Sequence, residues 1–116
     1  MKVPDEAAQL EALEKQSREI LARLTERGVN LDVERDIELQ FNAPDRARAR
    51  KLADQLRRKG YRYVFLGSAH PRTGLVAVTV TVNAAPSTVG SPEHASRLVH
   101  LAARCGAVHD GWGTSS

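Results

Sequence analysis

Leu75-Val76-Ala77-Val78-Thr79-Val80-Thr81-Val82 is the stretch that decides the fold. Successive side chains of a strand point to opposite faces. Val76, Val78, Val80 and Val82 therefore share one side, and Ala77, Thr79 and Thr81 share the other. Four β-branched apolar residues on one side specify a strand buried on that face only. Such a strand needs helices over its apolar side and further strands at its edges.

The sequence to either side supplies both. On the N-terminal side, His70-Pro71-Arg72-Thr73-Gly74 is turn chemistry, and Tyr61 to Leu66 has strand composition. Pro44 to Lys59 reads as a helix with Leu52, Ala53 and Leu56 inward, the arginines outward and Gly60 at its end. Val33 to Phe41 alternates, with Ile37, Leu39 and Phe41 on one face and Asp36, Glu38 and Gln40 on the other. The first element is a long helix. Pro4 suits its first turn, Asp5 and Glu6 complement its dipole, and Gly28 ends it. Its apolar stripe is Leu10, Leu13, Ile20, Leu21 and Leu24, interrupted by polar Ser17. On the C-terminal side, a loop with Pro86 and Gly90 leads to the capping sequence Ser91-Pro92-Glu93. The helix that follows carries Ala95, Leu98, Ala102 and Cys105 inward and stops at Gly106. A brief strand, Ala107 to Asp110, comes last.

The order is a helix followed by β-α-β-β-α-β. It predicts an α+β fold, a ferredoxin-like sandwich with an antiparallel sheet and an extra N-terminal helix. Residues 1–116 are read as a single domain, with the N-terminal helix at 1–28 and the ferredoxin-like unit at 33–114.

Composition narrows the class. An apolar fraction of 41% and a charged fraction of 27% are those of a globular protein. No apolar run is long enough to cross a bilayer, and the acidic start Asp5-Glu6 lacks the apolar centre of a signal peptide. A single cysteine, Cys105, excludes an internal disulfide and fits a reducing compartment, the cytoplasm by default. The net charge of +3 is unevenly spread: residues 1–43 are acidic, whereas residues 44–62 hold eight bases against two acids.

Catalytic, metal and cofactor chemistry find no support. His94 and His100 are six apart on one helix and diverge, His70 lies in a turn and His109 on the last strand. Cys105, on an apolar helix face, reads as a small buried hydrophobe. Carboxylate pairs for acid–base work and glycine-rich phosphate loops are absent. Sheets of this class bind RNA by stacking bases on aromatics of the central strands. Here the outward positions of the first and third strands are Glu38, Gln40, Ala77, Thr79 and Thr81, so that mode is disfavoured. Arg46, Arg50, Arg57 and Arg58 remain a candidate basic surface for nucleic acid, the alternative to a protein partner. The leucine stripe of the first helix packs on its own chain in the simplest reading and leaves open a homo-oligomer built through that helix.

The segment Ala107 to Ser116 carries the sole tryptophan, Trp112, between Gly111 and Gly113. A lone large aromatic either anchors its segment or faces a partner. The N-terminal helix, the β-α-β-β-α-β order and the closing Asp110-Gly111-Trp112-Gly113-Thr114 together resemble the RraB family, regulators of ribonuclease E activity. Weaker echoes are Asp36-Ile37-Glu38 and the Gly60-Tyr61 step. The resemblance implies a cytoplasmic, non-catalytic inhibitor that binds a ribonuclease. It makes Asp110, Gly111, Trp112, Gly113 and Thr114 the family signature and candidate partner contacts. The chain departs from the family at His109, where a tyrosine is expected, and in its basic balance.

Overall fold

The computed structural model describes residues 5–114. Helix α1 (Glu6–Glu26) is followed by β1 (Arg35–Ala43), α2 (Arg46–Arg58), β2 (Tyr63–Ala69) and β3 (Val76–Ala84). The short helix α3 (Pro86–Val89), α4 (Pro92–Arg104) and β4 (Val108–Gly113) complete the chain. The four strands form one sheet in the order β2-β3-β1-β4, and every neighbouring pair is antiparallel. The hairpin partners β2 and β3 are adjacent. The crossovers through α2 and α4 each skip one strand, which is the ferredoxin-like arrangement.

Val76, Val78 and Val80 are fully buried, as are Ile37, Leu39 and Phe41 of β1. They meet Leu52 and Leu56 of α2 and Leu98, Leu101 and Ala102 of α4 in one core. Among the described residues, no helix covers the other sheet face.

Each long helix begins on a side-chain cap. Asp5 accepts the Ala8 amide, Asp45 the Arg48 amide and Ser91 the His94 amide. Pro4 lies outside the described residues, so the cap of α1 rests on Asp5. Several element boundaries move from those read in the sequence. Val33 stays exposed in a turn in which Asn30 Oδ1 accepts the Asp32 amide, so β1 starts at Arg35, opposite Ala84. Pro86 to Val89, read as loop, makes one helical turn with Pro86 and Val89 buried. The last strand runs to Gly113 rather than ending at Asp110.

Helix α1 packs across α4 and β4. Leu13 and Leu24 of its stripe are buried on the chain itself, while Leu10, Ile20 and Leu21 are half-buried.

Candidate functional site

Strand β4 is built around a bulge. Gly111 pairs with Gln40 and His109 with Phe41, so Asp110 is an extra residue without a partner on β1. His109 and Trp112 are three residues apart and would face opposite sides of a regular strand. The extra residue brings both to the helix-covered face, where each is 4% exposed. Gly111 has φ +141, a conformation that L side chains rarely adopt, and the Gln16 side chain fills the space where its Cβ would stand.

Helix α1 holds this segment from above. The Trp112 indole N–H donates to Ser17 Oγ at 2.9 Å, and its backbone N–H donates to Gln16 Oε1 at 3.3 Å. Ser17, a break in the apolar stripe when read from sequence, is buried because it satisfies the indole. Thr114 Oγ1 donates to the Asp36 carbonyl at 2.6 Å, tying the end of β4 beside the start of β1. His109 Nδ1 lies 3.0 Å from the Gln40 carbonyl. A carbonyl only accepts, so the neutral ring carries its proton on Nδ1. Burial pushes the His109 pKa down to about 4, partly offset by that bond.

Residues 14–114 match the family described as regulator of ribonuclease activity B. The chain belongs to this family. A search of curated proteins found no match. The RraB match begins within α1 before Gln16 and Ser17 and ends at Thr114, so it spans both halves of the contact around Trp112.

The structure disperses the other residues singled out from the sequence. Of the signature, Asp110 alone is exposed; Gly111 and Trp112 are buried, and Gly113 and Thr114 half-buried. Arg46, Arg50, Arg57 and Arg58 are exposed on α2. Arg57 pairs with Asp54 at 3.4 Å and reaches the Val64 carbonyl of β2 at 3.5 Å. Cys105 is buried, and desolvation raises its thiol pKa. His94 is half-buried, and its pKa is lowered chiefly by desolvation. His100 points instead to solvent and meets Glu6 of α1 at 3.0 Å. Among the described residues, no group of three or more His, Cys, Asp or Glu side chains is placed to hold a metal.

One surface escaped the sequence reading, which weighed only the central strands. Tyr63 and Phe65 of edge strand β2 lie opposite Thr81 and Thr79, on the open sheet face. They are 72% and 69% exposed, whereas Phe41 and Trp112 are buried. The alternation of Tyr63 and Phe65 with Val64 and Leu66 was the available signal, but apolar residues on both sides left the outward side unmarked.

Proposed function

We propose that this chain is a non-catalytic regulator that binds a ribonuclease and modulates its action on RNA. The observation that carries the reading is the RraB match over residues 14–114. The residues that mark it, Asp110 to Thr114, are built into the sheet and braced by α1. A protein that acts by occupying a partner needs a stable shape and a displayed surface rather than a reactive centre. The reading implies the cytoplasm, where RNA-processing nucleases work and a lone reduced cysteine persists. Among the described residues, no helix is long and apolar enough to cross a membrane.

The test is a binding and cleavage experiment with the purified ribonuclease of the same cell. The chain should co-migrate with the nuclease and slow or redirect cleavage of a labelled transcript in proportion to its concentration. Failure to bind, together with an unchanged cleavage pattern at saturating chain, would overturn the reading.

A further inference from the structure

The open face of the sheet holds the most exposed aromatics in the chain, and none of the described residues covers them. Tyr63, Thr81 and Glu38 form one cross-strand row, and Phe65, Thr79 and Gln40 form the next. Asp36, opposite Asn83, extends the face toward the start of β1. Tyr63 divides two shallow depressions, one bordered by Glu38 and Arg62 and the other by Asp36 and Asn83. Asp36 accepts a hydrogen bond from Asn83 Nδ2 at 3.2 Å, and neither Asp36 nor Glu38 forms an ion pair among the described residues. Among the described residues, Arg62, at the rim, is the one cation bordering these depressions.

We propose that this face docks an extended, arginine-rich segment of a protein partner, with guanidinium groups stacked on Tyr63 and Phe65 and paired to Glu38 and Asp36. The proposal rests on the ribonuclease-regulator reading and names the surface it would use. Nucleases that hold RNA carry cationic segments, because phosphate contacts dominate RNA affinity. The spacing fits as well. Residues two apart on a strand lie about 7 Å apart, so alternate residues of an extended segment running along β2 reach both rings. Arginine suits the site better than lysine, since its planar group stacks on aromatic faces and pairs with carboxylates. Two carboxylates beside the rings disfavour RNA itself on this face. The basic helix α2 packs against the opposite, core-facing side of the sheet. The chain's net positive charge therefore does not describe the docking face.

Anisotropy of fluorescein-labelled probes at low ionic strength tests the proposal. The probes are a dodecapeptide of alternating Arg and Gly, its Glu and Gly counterpart, and a single-stranded RNA dodecamer. The Arg peptide should bind to the full chain and the Glu peptide should not. Binding should weaken about tenfold in Tyr63→Ser/Phe65→Ser and in Asp36→Asn/Glu38→Gln, and stay unchanged in Arg46→Ala/Arg50→Ala. Circular dichroism melting confirms that each variant folds. The aromatic and carboxylate variants, applied to the purified nuclease, should lose its capture, and Arg46→Ala/Arg50→Ala should retain it. An Arg peptide that fails to bind, or that binds all variants equally, overturns the proposal. So does RNA binding that is lost with the aromatic pair. A nuclease captured equally by wild type and these variants overturns this surface while leaving the regulator reading intact, and a nuclease that wild type fails to capture overturns that reading.

Discussion

Trp112 and Ser17 are 95 positions apart in sequence and joined by a buried 2.9 Å hydrogen bond from the indole nitrogen to the serine oxygen. The bond links the last strand to the first helix, and the indole fills the space between them. Removing the acceptor strands a buried donor, which costs about 1–3 kcal/mol. Ser17→Ala is therefore expected to destabilise the chain by about that amount in urea denaturation. In a Trp112→Phe background, which has no donor to strand, the same change should cost much less. Equal costs in the two backgrounds would show that the bond contributes nothing. Trp112→Ala should be worse than either, about 3–5 kcal/mol, because it also empties a core position.

How much of this was legible in the sequence depends on whether a residue's role is local. The valine alternation in β3 fixes its buried face without reference to anything distant, and the sheet order follows from the succession of elements. Ser17 is different. A serine in an apolar stripe looks like a defect until the indole that it accepts is placed over it. The bulge at Asp110 is equally non-local, since an extra residue is recognisable only against the register of β1. Tyr63 and Phe65 were hidden for another reason. Tyr61 to Leu66 is apolar at five of its six positions, so no polar face marks the side that meets water.

The two glycines around Trp112 should respond differently to the same substitution. An alanine Cβ at Gly111 would collide with the Gln16 amide atoms, on a backbone at φ +141. Gly111→Ala is expected to cost about 1–3 kcal/mol through strain and displacement of Gln16. Among the described residues, nothing lies within 4 Å of the corresponding position at Gly113, which has no positive φ, so Gly113→Ala should change stability by less than about 0.5 kcal/mol. Urea midpoints of the two variants measure the contrast, and equal losses would contradict the assigned packing.

Cys105 should behave as a core residue. It is 3% exposed, and burial raises its thiol pKa, so little reactive thiolate is available in the folded state. Labelling with a disulfide reagent at neutral pH should be slow in the native chain and become rapid in denaturant. Fast native labelling would place Cys105 at the surface.

Acid should unfold the chain through buried His109 and half-buried His94. The His109 pKa is held near 4 in the fold, below the ordinary value of 6.5, because burial disfavours the imidazolium. The unfolded chain therefore takes up this proton first as pH falls. Stability from this group is fully present above about pH 6.5 and is lost progressively down to about pH 4, where the folded ring also protonates. Integrated over that window, the loss is about 3 kcal/mol. His94, whose pKa is also lowered by burial, adds to the loss in the same direction. His109→Phe keeps an aromatic ring beside Phe41 and cannot take up a proton. The variant gives up the bond to the Gln40 carbonyl, which lowers its stability at neutral pH, but its unfolding free energy should fall less steeply between pH 6.5 and 4. Urea denaturation across that range compares the two slopes, and parallel curves would show that His109 is not the group that couples folding to protons.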